Sequence, residues 1–254
     1  MSALDRLGAV IEGEFKIISR EPGGLALLVI LPYFVAGGTA IIASFLASIN
    51  RYRFMEQFIG FEVVMLSIIM MQTGARFLRE ERNGGRLEYL LASPTNALLI
   101  LLGTSIVMAS SMVAAFLVSL IPVAYGVYGV PGLIRSITSL LLLFIGLMPL
   151  YGLGILLSGV VLRFRESDSL MGLITSAASL LSGATYPIEA LPKWLELLIR
   201  VLPMHMLDKA LYGEVMGYLT PSRAIYLAVA AMIYLSLGVY SYGRLQRSLL
   251  RKGI

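Results

Sequence analysis

The chain has 254 residues, of which 58% are hydrophobic and 14% are charged, and its mean hydropathy is +0.85. Because a soluble globular domain carries about 25% charged residues, this composition excludes an ordinary soluble domain and favours a protein that crosses a membrane several times. The absence of cysteine excludes disulfides and thiolate metal sites, and the single histidine, His205, argues against centres built on several imidazoles. The net charge of +5 does not indicate a nucleic-acid partner, since membrane proteins concentrate Lys and Arg on cytoplasmic loops.

The first 21 residues predict an amphipathic helix and not a secretory signal, because acidic and basic residues interrupt every apolar run. At about 100° per residue, one face collects Leu4, Leu7, Val10, Ile11, Phe15, Ile17 and Ile18. The opposite face collects Asp5, Arg6, Glu12, Lys16, Ser19 and Arg20, and only Glu14 fits neither face. We expect this helix to lie in the membrane interface and to lead into the first span. A soluble amphipathic helix is the alternative.

Six stretches meet the requirement of roughly 20 apolar residues for a membrane span. They are Leu25–Ile49, Phe58–Phe77, Ala97–Pro122, Ser136–Leu162, Ser169–Tyr186 and Ala224–Tyr242. The second contains Glu62, and the fifth is barely long enough. The predicted fold is therefore an all-α polytopic membrane protein forming one domain over residues 1–254, with an interfacial helix over 1–21 and a six-span bundle over 22–254.

The distribution of Lys and Arg predicts the orientation of this bundle. With the amino terminus inside, the inner segments hold thirteen of the 20 cations, and the outer segments hold seven. Four of those seven lie in one long outer segment, where charge is a weaker signal. We therefore expect a multi-pass protein of the cell membrane with both termini in the cytoplasm.

The densest charge cluster, "RFLREERNGGRLEYLLASPT" over residues 76–95, falls between two predicted spans. Gly84 and Gly85 should end any helix that continues from the second span, and Pro94 should end the segment that follows. Between them, "RLEYLLA" can form one or two helical turns with Leu87, Leu90 and Leu91 on one side and Glu88, Tyr89 and Ala92 on the other. Such a helix is suited to docking a partner. The alternative is a solvated loop whose arginines only set the orientation.

The stretch "REERNGGRLEYLLASPTNALLILLGTSI" resembles the first cytoplasmic loop of the ABC-2 family of transporter permeases. The matching residues are Gly85, Arg86, Leu87, Glu88, Leu90, Leu91, Ser93, Pro94 and Gly103. Thr104 stands where a lysine is common in the family, so that position is not carried over.

A second stretch, "LLSGATYPIEALPKWLELLIRVLPMHMLDKAL", resembles the family's segment after the fifth span. The matching residues are Gly183, Tyr186, Pro187, Leu191, Pro192, Trp194 and Pro203. Ala210 and Leu211 occupy the place of a frequent arginine. We expect the residues between Pro187 and Pro203 to form a shallow helix or a re-entrant hairpin over the outer mouth.

The resemblance implies a permease subunit of an exporter, and not an enzyme. The loop would be a coupling helix that contacts a separate cytoplasmic ATPase through Arg82, Arg86, Glu88 and Tyr89, while Leu87, Leu90 and Leu91 pack back onto the bundle. The chain has no phosphate loop, so no cofactor is expected in it, and ATP and Mg would be bound by the partner. A second permease copy or a homologous permease, and membrane lipid, complete the implied partners. The cargo is not indicated.

In the family, the second and fifth spans flank the substrate route, which nominates Met65, Ile69, Thr175, Ser176 and Ser179 as lining residues. Glu62 has two interpretations: it lines a polar pathway or pairs with Arg51 or Arg53, or else it lies near the outer end of its span and extends to water.

Two other functions compete with the permease. A secondary transporter would need paired intramembrane charges or broken helices in both halves, of which Pro32 and Pro149 are a weak form. A membrane enzyme that processes lipid would need an acidic cluster or a Ser–His pair at membrane depth, and neither is evident in the sequence.

Overall fold

A computed structural model describes residues 3–20, 22–24, 26–27, 29–31, 33–34, 51–86, 89, 97–163, 167–183, 188 and 191–252 of the chain. Within these residues the regular structure is entirely helical, as predicted. The helices are α1 (Ala3–Arg20), α2 (Arg51–Asn83), α3 (Ala97–Tyr128), α4 (Val130–Arg163), α5 (Ser167–Leu180), α6 (Lys193–Val201), α7 (Pro203–Met216) and α8 (Pro221–Lys252).

Four described helices are long and apolar enough to cross a membrane, which makes the chain a multi-pass membrane protein. The candidate spans are Phe54–Asn83, Ala97–Tyr128, Val130–Gly159 and Pro221–Arg244, and they overlap the second, third, fourth and sixth predicted spans. The predicted first span, Leu25–Ile49, lies mostly outside the described residues, and its described part is helical up to residue 34.

The predicted fifth span, Ser169–Tyr186, differs from the structure. Helix α5 has 14 residues and ends at Leu180, followed by a turn and by Gly183 with a φ of 63°. At a rise of 1.5 Å per residue, α5 is about 21 Å long, which is shorter than the hydrocarbon core of about 30 Å. The left-handed Gly183 turns the chain before the end of the apolar run in the sequence. Residues 184–187 lie outside the described part.

Helix α4 is the centre of the bundle, since it contacts α2, α3, α5, α7 and α8. It runs antiparallel to α3, to which it is joined at Gly129, and parallel to α8. Its contacts with α2 and α8 include close approaches between backbones at glycines. A Cβ placed on Gly152 would lie 2.4 Å from the Tyr234 carbonyl, and one on Gly154 would lie 2.8 Å from the Met71 oxygen. Small residues permit this approach, which supplies the van der Waals contact that holds helices together in lipid.

One end of the bundle, which we call the α1 end, is formed by α1, the last turns of α2 and the first turns of α3. Val10 of α1 packs so closely on Gly103 of α3 that a Cβ there would lie 2.5 Å from its Cγ1. The side of α1 that faces inward carries Leu7, Val10, Ile11, Glu14 and Ile18, whereas Phe15 and Ile17 are exposed. Glu14, which fitted neither face by periodicity, thus belongs to the packed face.

The opposite end, which we call the α7 end, contains the starts of α2, α4 and α8 and the end of α7. Helix α7 runs along α4: Leu207 packs against Gly146, Glu214 accepts a hydrogen bond from Thr138, and Gly217 lies against Arg135. Leu202 connects α6 to α7. At this joint, the Tyr234 hydroxyl of α8 donates to the Val201 carbonyl at 3.3 Å. Tyr234 is 13 residues after the start of α8, about 20 Å along that helix. Because helical side chains lean towards the amino terminus, its hydroxyl meets the α6–α7 joint nearer to the α7 end.

The glycine contact between α4 and α8 generates a stability prediction. Gly152→Ala should destabilise the protein by about 1–3 kcal/mol, because the added methyl group overlaps the Tyr234 backbone, which cannot rotate away as a side chain can. Gly172→Ala is the matched control, since a Cβ at Gly172 meets no atom within 4 Å. Thermal unfolding of the purified protein in detergent measures both, and equal midpoints for the two variants would contradict the packing described here.

The carboxylate of Asp208 on α7 generates a prediction about pH. Burial raises the pKa of Asp208 to about 7, although Lys209, whose Nζ lies 3.5 Å from Oδ2, opposes the shift; Glu56 and His205 are its other titratable neighbours. The folded chain therefore holds the proton more tightly than the unfolded chain. The stability that this proton confers is complete below the unfolded pKa near 4 and is lost as the pH rises through about 7.

Asp208→Asn removes this dependence, so the variant should gain stability relative to the unmodified chain between about pH 5 and about pH 8, by on the order of a few kcal/mol. Thermal unfolding of the two proteins across this range isolates Asp208, because all other groups are shared. A difference in unfolding midpoint that does not change with pH would contradict the prediction.

Candidate functional site

The end of α2 is closed by a glycine cap that sets the direction of the following loop. Gly85 has a φ of 66°, its N–H donates to the Arg82 carbonyl at 3.0 Å, and the Arg86 N–H donates to the Glu81 carbonyl at 2.8 Å. These two bonds form a Schellman motif, which satisfies carbonyls that a helix end leaves unpaired. The helix stop predicted at Gly84 and Gly85 is confirmed.

Arg86 turns back onto the helix that precedes it. Its Nε and Nη2 donate to the two carboxylate oxygens of Glu81 at 3.1 and 3.0 Å. The Glu81 side chain is 18% exposed and that of Arg86 is 63% exposed, so the pair is held on one side and open on the other. Sequence reasoning missed Glu81, because residues five apart on a continuous helix do not face each other.

Beyond this cap the structure describes one residue of the predicted docking helix. Tyr89 is helical and 79% exposed, which makes it the most exposed large aromatic or aliphatic side chain among the described residues. Arg82 is half-buried on the last turn of α2. The predicted contact residues Leu87, Glu88 and Leu90 lie outside the described residues.

A cleft of about 140 Å³ lies next to this loop, at the α1 end. Glu14, Arg76 and Glu80 supply its charged lining, and Thr73 and Thr104 supply hydroxyls. Burial, and then repulsion from Glu80, raise the pKa of Glu14. The cleft therefore lies between α1, α2 and α3, and its lining is charged as well as apolar.

The five residues predicted to line a pathway differ in their exposure within one chain. Ile69 lines the cleft just described, among residues of α1, α2 and α3. On α5, Ser176 is exposed, whereas Thr175 is buried and its hydroxyl donates to the Met171 carbonyl at 2.8 Å. Met65 and Ser179 are half-buried, and the Ser179 hydroxyl donates to the Thr175 carbonyl at 2.9 Å.

Glu62 is buried in the bundle, with 2% of its surface exposed. The interpretation that its side chain extends to water is therefore wrong. The Ser119 hydroxyl of α3 donates to Glu62 Oε1, and the Tyr33 hydroxyl donates to the Ser119 carbonyl. The second oxygen, Oε2, has no hydrogen-bond partner among the described residues. This cluster links α2, α3 and the segment that precedes α2 at membrane depth, where charged groups are costly and usually functional.

The remaining titratable residues of the described part do not form a metal centre. No group of three or more His, Asp or Glu side chains there is placed to hold an ion. The single histidine, His205, is 7% exposed and lies beside Gly183.

Comparison with known families decides what kind of protein this is. A sequence profile described as ABC-2 type transporter matches residues 6–214, a range that contains most of α1, the capped loop, Glu62, α6 and most of α7. The chain belongs to the ABC-2 type transporter family. A search of curated proteins found no match.

Membership defines the chain as an ABC-2 membrane permease domain, a domain that lacks an ATPase site and typically carries no cofactor. Membership also implies an ABC ATPase as partner. The resemblance drawn from the two loop motifs is thereby confirmed.

The buried cluster in this ABC-2 domain generates a prediction about coupled residues. Ser119→Ala should cost about 1–3 kcal/mol, because it leaves the buried Glu62 carboxylate without its donor. Combining it with Glu62→Leu should cost less than the sum of the two single changes, since the double variant leaves no unpaired acid.

The control is Ser110→Ala on the same helix, whose exposed hydroxyl bonds only to its own helix at Ile106, and which should shift stability by under about 0.5 kcal/mol. Thermal unfolding of the three variants and of the double variant completes the cycle. Strict additivity would show that Glu62 and Ser119 do not interact.

Proposed function

We propose that the chain is the permease subunit of an ATP-driven exporter, working as a dimer with a second permease and driven by a separate cytoplasmic ATPase that docks on residues 82–90. The observation that carries the proposal is the exposed Tyr89, which follows a helix end capped by Gly85 and the Arg86–Glu81 pair. ATP and Mg are bound by the partner.

The orientation of the proposal is supported by the cations of the α1 end. Four arginines lie within eleven residues at the end of α2, and α1 adds three more cations: Arg76, Arg79, Arg82, Arg86, Arg6, Lys16 and Arg20. Positive charge of this density favours the cytoplasmic side. The α1 end then faces the cytoplasm of the cell membrane, together with both termini.

The mechanism follows from how the loop is attached. The Schellman bonds and the bidentate ion pair join residues 85–86 to α2, so a force on the loop acts on the helix and is not absorbed by a flexible hinge. Helix α2 has 33 residues and is about 50 Å long, which reaches from one end of the bundle to the other. Closure of two ATPases would tilt α2 and, through its glycine contact at Gly154, α4.

The substrate route is proposed to run between the two permease copies, beside α2 and α5. Within one chain Ser176 is exposed on α5, and Met65 and Ser179 are partly exposed, so these three are the first candidates. Ile69 is also half-buried and remains a candidate, whereas Thr175 is buried and is a candidate of lower exposure.

The experiment is affinity purification of the tagged full-length chain from its native cells, with the co-purifying ATPase quantified by its phosphate-loop peptides and by ATP hydrolysis. Tyr89→Ala and Glu88→Lys should each reduce the retained ATPase and its hydrolysis rate by about tenfold or more, as loss of an exposed anchor does at a protein interface. Tyr125→Ala is the matched control, because Tyr125 is also a well-exposed tyrosine but lies at the α7 end of α3.

If both loop variants retained the ATPase at the level of the unmodified chain, the proposal that the ATPase docks on residues 82–90 would be wrong. Transport by the purified chain without a nucleotide-hydrolysing partner would favour a secondary transporter instead.

A further inference from the structure

An open pocket of about 270 Å³ lies at the α7 end, on the side opposite to the proposed ATPase surface. Three helices build it: Arg200 comes from α6, His205, Met206 and Lys209 from α7, and Arg223 and Tyr226 from α8. No acidic residue is among these lining residues. We call this site the basic pocket.

The cations of the basic pocket are only partly neutralised by the carboxylates around it. Arg200 donates to Glu196 of its own helix at 2.9 and 2.6 Å, and Lys209 lies 3.5 Å from both Glu56 and Asp208. Arg223 donates to the Lys209 carbonyl at 3.4 Å and has no carboxylate within 4.0 Å among the described residues. An anion that entered the pocket would therefore meet a guanidinium without a counter-ion.

The α8 side of the basic pocket lies at the depth of lipid headgroups. The candidate span of α8 is Pro221–Arg244, and Arg223 and Tyr226 belong to its first two turns. They are about 3–8 Å from the start of the span at 1.5 Å per residue, within the interfacial layer that flanks the hydrocarbon core. Tyr226 is 66% exposed, as is typical of aromatic residues at that level.

An exposed apolar surface borders the basic pocket. On α8 it continues along the span with Val229, Met232 and Ile233, and on α6 the exposed residues near Arg200 are Leu197, Leu198 and Val201. A soluble anion would leave this apolar surface uncovered, whereas the acyl chains of a lipid would cover it. A second copy of the chain is disfavoured as the occupant, because a symmetric contact would bring two basic pockets together.

We propose that the basic pocket binds the phosphate headgroup of an anionic phospholipid in the leaflet at the α7 end. Arg223 holds the phosphate with the support of Lys209 and Arg200, and the acyl chains lie along α8 and α6. The site is distinct from the ATPase surface and does not depend on it. Charge complementarity at the pocket and apolar complementarity beside it together define this ligand.

The experiment uses the purified full-length chain, free of ATPase, with phosphatidylglycerol, phosphatidylcholine or inorganic phosphate as the probe. Native mass spectrometry counts the retained lipid, and the shift of the unfolding midpoint with added probe gives the apparent affinity. Phosphatidylglycerol should bind at least about tenfold more tightly than phosphatidylcholine, and Arg223→Gln should abolish that preference, since charge-assisted bonds to phosphate are the strong ones. Arg223→Lys, which keeps the charge, should retain most of it.

Lys193→Gln is the matched control, because Lys193 is an exposed cation at the start of α6 that does not line the pocket. An equal loss with Lys193→Gln would overturn the proposal in favour of a general surface-charge effect. Equal affinity for the two lipids would also overturn it, as would inorganic phosphate binding as tightly as phosphatidylglycerol. Because no ATPase is present, any of these failures leaves the proposed export function untouched.

Discussion

The packing of α4 against its neighbours at backbone distance is the constraint on which the rest of the structure depends. In lipid, apolar helices gain little from contact with each other compared with contact with acyl chains, so close van der Waals packing must supply the association. Glycines provide the approach: Gly152 meets α8, Gly154 meets α2, and Gly146 receives Leu207 of α7. Because α4 packs against all three partners, it fixes the positions of α2, which carries the loop, and of α7 and α8, which line the basic pocket.

Polar groups inside the spans follow two different rules. Most hydroxyls are satisfied within their own helix, as Thr73 is by the Ile69 carbonyl, Ser111 by Val107 and Ser158 by Gly154. These residues need no partner helix, and they allow small side chains at the contacts without leaving a donor unpaired. Other polar groups pair between helices: the Glu62 carboxylate accepts from Ser119, and the buried Tyr151 hydroxyl of α4 donates to the Leu101 carbonyl of α3. The Glu62–Ser119 bond specifies how α2 and α3 are aligned.

The two ends of the bundle use arginine in opposite ways. At the α1 end, Arg86 forms an intramolecular ion pair with Glu81 next to the loop that we propose as the ATPase-docking surface. At the α7 end, Arg223 donates to a backbone carbonyl and has no carboxylate within 4.0 Å among the described residues. The guanidinium is paired in one place and, in our proposal, available for recognition in the other, and the difference lies in whether a carboxylate is within reach. Sequence composition does not distinguish the two cases.

Local properties of the chain were determined by the sequence alone. The apolar runs of α2, α3, α4 and α8, the helix stop at Gly84–Gly85 and the family likeness of the two loops depend on neighbouring residues, and contiguous patterns report them directly. Contacts between distant residues were decided only by the tertiary structure. Periodicity could not place Glu14 or end α5 at Leu180, could not pair Glu81 with Arg86 across a left-handed turn, and could not bring Ser119 to Glu62, 57 residues away. The basic pocket is the clearest case, since its cations lie on three helices whose meeting depends on close packing, which no single stretch of sequence encodes.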